Sequence, residues 1–226
     1  MKWMSVQQPQ DSSVFVRRAI AVAFLFGCVL GMVAAANAQN LSSPNTPVTI
    51  TPPAGNVPYL MGSAVGTQGY VCLPSGSGAS WTVNSSRPEA TLFVKMFGRD
   101  VQIMTHFLSP DANPNQNAPN PLPFGSPTWQ SSLDSSVVWA KSLSLIPAGS
   151  DPSCSHTGAI PCLLLQSIGS QQGPGGGGLM TGTTYIQRLN TTGGVAPADG
   201  CSVSGDVGKQ KLVPYTADYY FFRSTN

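Results

Sequence analysis

The chain has 226 residues, of which only 9% are charged, against a usual share of about a quarter in globular proteins. Its formal charge of +2 arises in the first 38 residues, which hold three of the eleven basic and one of the nine acidic residues, so the rest is formally neutral. Binding to nucleic acid requires a clustered basic surface, whereas the later basic residues are scattered from Arg87 to Arg223. The composition therefore argues against nucleic acid as a partner.

The first 38 residues have the features of a secretory signal. Arg17 and Arg18 form a positive region, an apolar run extends from Ala19 to Ala35, and Ala36-Asn37-Ala38 is a small-residue cleavage site. We expect cleavage after Ala38, a secreted or periplasmic mature chain, and no stable membrane span after cleavage. Two alternatives stay open. The apolar run is close to the length that spans a bilayer and would suit an uncleaved anchor, and Cys28 would suit a lipoprotein.

Residues 39–58 are rich in Ser, Asn, Thr and Pro and predict an extended lead-in without a packed element. After them, short apolar segments alternate with turn residues, and their Val, Thr, Tyr and Phe content favours strands over helices. These segments are Gly69–Leu73, Ser80–Val83, Ala90–Phe97, Val101–Phe107, Val137–Leu145, Ile160–Ile168, Thr183–Leu189 and Tyr215–Phe222. Together they predict one all-β domain over residues 59–226, an antiparallel β-sandwich or barrel of about eight to ten strands with long Pro-, Asn- and Gly-rich loops.

Two of these segments allow their faces to be assigned. In the last segment, every second residue is apolar or aromatic, and we assign this face to the core; it consists of Tyr215, Ala217, Tyr219 and Phe221. In the preceding segment neither face is uniformly apolar, because Ile186 and Arg188 share one side while Gln187 and Leu189 share the other. We expect this strand to be partly exposed on both faces.

Two long loops interrupt the predicted strands. Ser109 to Pro127 contains six prolines and few apolar side chains, so we interpret residues 109–127 as a surface insertion. Gly173 to Gly178 satisfies the G-x-G-x-x-G pattern of dinucleotide-binding proteins. However, Leu179 to Gly182 leads from it into a strand, where that fingerprint requires a helix. We therefore predict a flexible hairpin loop, with no bound nucleotide and no cofactor.

Four cysteines remain after the leader: Cys72, Cys154, Cys162 and Cys201. An even number in an exported chain predicts two disulfides, for which three pairings are possible. Cys154 and Cys162 enclose a short turn-forming segment, so we favour a local Cys154–Cys162 bridge. This choice leaves Cys72 to pair with Cys201 and to connect the start of the domain with its end.

The last third of the chain contains a distinctive series of motifs: Tyr185-Ile186-Gln187-Arg188, then Thr191-Thr192-Gly193-Gly194-Val195-Ala196-Pro197, Gly200-Cys201, and Val213-Pro214-Tyr215-Thr216-Ala217-Asp218-Tyr219-Tyr220-Phe221. This series resembles domain-of-unknown-function family 3455 (DUF3455), small secreted proteins of bacteria and fungi. The resemblance implies no particular reaction. It agrees with the favoured disulfides, because Cys72 and Cys201 occupy family-like contexts whereas relatives typically have Trp where Cys162 stands.

The same resemblance points to a candidate site. The family commonly shows a His strand, a Pro-Thr-Trp motif and an Asp-Gly-Ser motif, which correspond here to His106, to Pro127-Thr128-Trp129, and to Asp134-Ser135-Ser136 with Ser135 in place of Gly. We take His106, Trp129, Asp134 and Ser136 as the candidate ligand site. An aromatic plate with polar groups can hold a sugar or small amphiphile, and His beside Asp can orient a proton transfer. The alternative is a buried His106 bonded to Asp134, with Trp129 in the core.

Common catalytic signatures are lacking in the sequence. There is no G-x-S-x-G elbow and no H-E-x-x-H motif, and two histidines cannot build a three-His zinc site, so no metal is expected. Glu89 is the only glutamate, whereas a retaining glycosidase needs two close carboxylates. We therefore expect a non-catalytic binding or structural protein of the cell envelope or extracellular space, with a glycan or another envelope component as its ligand. Two alternatives remain: a small hydrolase or isomerase that uses His106 with Asp134, and a carbohydrate-binding module with Trp129 or Trp139 exposed.

Overall fold

The computed structural model describes residues 41–109 and 126–225, except for the side chains of residues 84–88. Eight antiparallel strands form a closed barrel in which each strand pairs with the next and the last pairs with the first. The strands are β1 (Asn56–Ser75), β2 (Gly78–Met96), β3 (Arg99–Ser109), β4 (Ser126–Ser131), β5 (Val137–Ile146), β6 (Cys162–Gln171), β7 (Thr183–Gly193) and β8 (Gln210–Ser224). The all-β prediction is confirmed, and the barrel is the arrangement that the chain adopts.

Each predicted strand segment overlaps a strand, although Phe97 lies just beyond β2 and Ile160 and Pro161 precede β6. β1 and β2 have 20 and 19 residues and extend well beyond the predicted segments, two of which merge within β2. β4 was not predicted as a strand, and it contains Ser126 and Pro127 from the end of the predicted insertion. β3 likewise includes Ser109. The rest of that insertion and the predicted signal lie outside the described residues.

The two ends of the barrel differ. Connections β2–β3, β4–β5 and β6–β7 lie at one end, which we call the glycine end because it contains Gly173 to Gly178. Connections β1–β2, β5–β6 and β7–β8 lie at the other, which we call the disulfide end. Both predicted bridges are present there: Cys72 in β1 is bonded to Cys201, and Cys154 is bonded to Cys162 at the start of β6.

The barrel interior forms the main core. Tyr215, Ala217, Tyr219 and Phe221 of β8 are all buried, which confirms the assigned inner face. They pack among buried side chains of the other strands, including Leu60, Leu92, Met104, Val138, Leu165 and Ile186. The two-residue alternation could be read from the sequence because the opposite face of β8 is more exposed.

The lead-in differs from the expected extended segment. Val48–Ile50 forms a short 3-10 helix, and Ile50 is completely buried. Ile50 belongs to a second hydrophobic cluster that includes Ile146, Leu164 and Leu189 together with the Cys154–Cys162 bridge. The lead-in is therefore packed against the barrel wall.

The prediction that β7 is partly exposed on both faces is wrong, because the lead-in covers its outer face. Ile186, Gln187, Arg188 and Leu189 are all buried. The Gln187 side-chain amide donates hydrogen bonds to the Ile50 carbonyl (2.5 Å) and to the Thr46 hydroxyl (3.2 Å). The outer face of β7 is thus covered by a segment about 140 residues earlier in the chain, and the Gln187 amide nitrogen is paired there, whereas its Oε1 is buried with no partner among the described residues.

Across residues 41–109 and 126–225 there is no helix of the length and apolarity needed to cross a membrane.

Candidate functional site

His106 and Trp129 meet inside the barrel. They are register partners on the neighbouring strands β3 and β4, and their rings stack with centroids 4.2 Å apart at an interplanar angle of 8°. Tyr219 of β8 approaches both rings, at 5.6 Å from His106 and 5.7 Å from Trp129. His106 is 3% exposed and Trp129 is 1% exposed, so this pair belongs to the core.

His106 is bonded to the backbone. Its Nδ1 lies 2.8 Å from the Thr128 carbonyl oxygen, a partner that can only accept, so Nδ1 carries the proton and donates it. Burial lowers the pKa of His106 to about 4; the hydrogen bond to Thr128 opposes this shift, and the positive charge of Arg188 adds to it. His106 is therefore a neutral imidazole at pH 7.

We expect His106 to make the protein less stable in mild acid. Its folded pKa of about 4 lies below its ordinary value of 6.5, so the unfolded chain binds more protons between these values and stability falls as the pH falls through them. Between about pH 7 and pH 5 the free energy of unfolding should drop by about 2 kcal/mol on this account. Urea titrations of the full chain at a series of pH values measure the drop.

The variant His106→Phe keeps a ring at this position and removes its titration, so most of the drop between about pH 7 and pH 5 should vanish. His156→Gln changes the other described histidine, which is exposed, and should leave the drop in place. An unchanged slope in His106→Phe would contradict the buried, neutral His106. Asp134 adds its own acid sensitivity only at lower pH, because its pKa is lowered from 3.8 and its contribution is lost as the pH falls through the lowered value.

Asp134 and Ser136 lie in the turn between β4 and β5, where they hold the β6–β7 loop. Asp134 Oδ1 accepts hydrogen bonds from the Ser136 backbone (3.1 Å) and hydroxyl (2.7 Å), and Oδ2 accepts one from the Leu179 N–H (2.8 Å). The Ser136 hydroxyl oxygen in turn accepts a bond from the Met180 N–H at 3.0 Å. The Met180 side chain is completely buried in the barrel core. These two polar residues thus fix the Met180 side chain in the glycine end.

The glycine-rich loop is packed against this turn at Gly173 and Gly177. A Cβ at Gly173 would overlap the Asp134 carbonyl oxygen, and one at Gly177 would lie 2.6 Å from the Asp134 Cβ. The burial and the hydrogen bonds of Asp134 in this turn also shift the pKa of its carboxyl group. Partial burial raises it, but hydrogen bonds from Leu179, Ser136 and Ser131 outweigh that effect and lower it below its ordinary value. The glycines allow close approach to a carboxylate of the protein itself.

Ser135 stands at the position where the resemblance implies the Gly of an Asp-Gly-Ser motif. Its φ of 59° lies in the left-handed region, which side chains other than Gly adopt only at a cost. The Gly that relatives carry there suits this backbone conformation. Ser135 keeps the same turn, which is closed by a bond from the Ser135 N–H to the Ser131 carbonyl (3.0 Å).

The four predicted site residues therefore form two separate pairs. In the described part of the chain, no hydrogen bond joins His106 to Asp134, because His106 points into the barrel from β3 and Asp134 is engaged in the glycine-end turn. The geometry required for a His106–Asp134 hydrolase or isomerase is not met. The requirement for an aromatic sugar platform is not met either, since Trp129 is 1% and Trp139 is 5% exposed, and both indole nitrogens are buried with no partner among the described residues.

A second polar group of the interior was missed by sequence reasoning. Arg188 of β7 is 9% exposed, and its Nε and Nη2 donate to the Pro161 carbonyl oxygen at 3.3 and 2.8 Å. The Tyr70 hydroxyl donates to the Gly194 carbonyl (2.6 Å), and the hydroxyls of Tyr215 and Tyr219 lie 3.1 Å apart. We call Arg188, Tyr70, Tyr215, Tyr219 and His106 the interior polar cluster. The signal for this cluster in the sequence was the cation Arg188, which lies on the same strand face as the apolar Ile186.

The fold and these contacts define a closed eight-stranded antiparallel barrel that is cross-linked at one end by two disulfides and has polar aromatic side chains in its interior. The chain belongs to the family described as "Protein of unknown function (DUF3455)", whose family model matches residues 53–223. The predicted family is thereby confirmed. Comparisons with curated proteins and with solved structures gave no match.

Proposed function

We propose that this protein is exported and acts as a non-catalytic binding or structural protein of the cell envelope or the extracellular space. The observation that carries the proposal is the state of His106, a buried and neutral imidazole whose Nδ1 is committed to a backbone carbonyl. A general base needs reach to a substrate and a pKa near the working pH. His106 has neither the exposure nor such a pKa.

The disulfides and the N-terminal sequence support export. Disulfides form and persist in oxidising compartments and are rare in the cytosol, and both bridges here connect segments at one end of the barrel. The first 38 residues supply the charged, apolar and small-residue regions of a signal peptide. A neutral surface that is rich in Ser, Thr, Asn and Gln suits contact with glycans or other envelope components.

The test is to express the full chain with its own leader in a bacterium and to recover it from the periplasm or the medium. We expect the recovered protein to begin at Gln39 and to contain no free thiol. Thermal shift of that protein against glycans, envelope fragments and lipids should then give a rise in melting temperature with at least one compound, because a ligand that binds only the native state stabilises it.

A matched control reverses the charge of the leader with Arg17→Glu and Arg18→Glu, and this variant should remain in the cytoplasm with its first residues uncleaved. Retention of the unchanged protein in the cytoplasm would refute the export proposal. Turnover of any compound in the panel that His106→Phe abolishes, without loss of folding, would refute the non-catalytic role and restore the hydrolase or isomerase alternative. Absence of any shift would favour a structural role over binding.

A further inference from the structure

Arg188 carries a charge in the protein interior, and no described residue forms a salt bridge with it. Two salt bridges join described residues, Lys95–Asp100 and Lys209–Asp206. Both lie on the surface, and neither includes Arg188. The only acceptor that contacts its guanidinium within residues 41–109 and 126–225 is the Pro161 carbonyl oxygen. A buried charge is costly unless it is paired, so this position is unfavourable for stability alone.

The guanidinium has donors to spare. It carries five N–H groups, and the contacts with Pro161 use one on Nε and one on Nη2. Nη1 donates to no group of the described residues. Since Arg188 retains 9% of its surface exposed and lies beside Pro161, in the β5–β6 connection of the disulfide end, its free edge is close to solvent at that end of the barrel.

No carboxylate of the described residues contacts Arg188. Its positive charge acts on Tyr70, Tyr215 and His106, and no carboxylate contributes to the electrostatics of these three groups. Tyr70 and Tyr215 are buried, with their hydroxyls bonded to Gly194 and Tyr219 respectively. A ligand beside Arg188 would therefore meet one fixed cation with no competing carboxylate among the described residues.

We propose that the free edge of Arg188, at the disulfide end of the barrel, binds the carboxylate of a small organic acid. A planar carboxylate matches the two parallel donors of a guanidinium. One cation balances a monoanion but not a phosphate dianion, which favours a carboxylate. This inference rests on the proposed binding function, for which it names the class of ligand.

Benzoate is a suitable probe, because it combines a carboxylate with an aromatic body, and benzamide is its uncharged counterpart. With the full chain and both disulfides formed, we expect benzoate to raise the melting temperature and benzamide to leave it unchanged. Arg188→Gln should weaken benzoate binding by at least about tenfold, since a hydrogen-bonded charge is lost. Arg99→Gln removes the same charge from an exposed position and should preserve the affinity.

Binding of benzoate that is equal in Arg188→Gln and the unchanged protein would overturn the inference, as would equal responses to benzoate and benzamide. Inorganic phosphate that binds as tightly as benzoate would overturn the carboxylate assignment. If Arg188→Gln does not fold, the unchanged protein decides, because the ¹⁵N resonance of Arg188 Nε must shift with benzoate and not with benzamide. Failure of these tests leaves the proposed function standing if export and a response to another envelope compound are observed.

Discussion

Replacing Cys72 and Cys201 together by alanine should lower the free energy of unfolding by about 5 kcal/mol. The bridge joins residues 129 apart in sequence, so its removal frees a long loop of the unfolded chain from closure. It also releases β1 from the connection that precedes β8. Strands β1 and β8 are the pair that closes the barrel. Urea unfolding monitored by fluorescence and circular dichroism measures the loss.

The paired control is the double variant Cys154→Ala, Cys162→Ala. These residues are separated by only 8 positions, so the same entropy argument gives a loss of about 2 to 3 kcal/mol. The control also removes two completely buried sulfur atoms, whereas Cys201 is partly exposed. A larger loss for the short bridge than for the long one would show that local packing, and not loop closure, governs the contribution of the disulfides.

Gly173→Ala should destabilise the protein by about 3 kcal/mol, the upper range for forcing an extra methyl group into a packed position. A Cβ there would overlap the Asp134 carbonyl oxygen and lie 2.8 Å from its carbonyl carbon. Both atoms belong to the backbone and cannot rotate away. Relief requires the loop to move from the turn, which breaks the bonds from Leu179 to Asp134 and from Met180 to Ser136. Chemical denaturation of the variant checks the value.

Gly175→Ala provides the comparison within the same loop. A Cβ at Gly175 meets nothing within 4 Å, so the free energy of unfolding should change by less than about 0.5 kcal/mol. Equal stabilities for the two variants would show that the loop is not held against Asp134. Release of the loop in Gly173→Ala should also expose Met180, which increases the binding of a hydrophobic dye at native conditions.

The sequence was most informative where one face of a strand lies in the barrel and the other lies in solvent. β8 meets this condition, and its inner residues were assigned correctly. β7 does not, because Ile50 and its neighbours cover its outer face, a contact over about 137 residues that no local pattern reveals. β4 has six residues, including Pro127, and was too short and too polar to stand out from the preceding Pro-rich segment.

The candidate site illustrates a different limit. The family resemblance grouped His106, Trp129, Asp134 and Ser136 as one candidate site, and the structure does bring His106 and Trp129 into contact. The direction of each side chain is set by strand register and turn geometry, and these send Asp134 and Ser136 to Leu179 and Met180 instead. Arg188 was noticed as an irregularity in alternation, because the closure that makes its face an interior face pairs β1 with β8, which are far apart in sequence.

The pairing of β1 with β8 has a consequence for the order of events during folding. Asn56 lies opposite Ser224, and the contacts continue to Val71 opposite Gln210. Strand β1 therefore has no permanent neighbour on one side until β8, which has 15 residues, has been synthesised. Non-local pairing of this kind is slow, and until it occurs β1 presents an unprotected edge that can join other chains. The pairing of β8 with β1, and not the formation of any early hairpin, is therefore the step that closes the barrel.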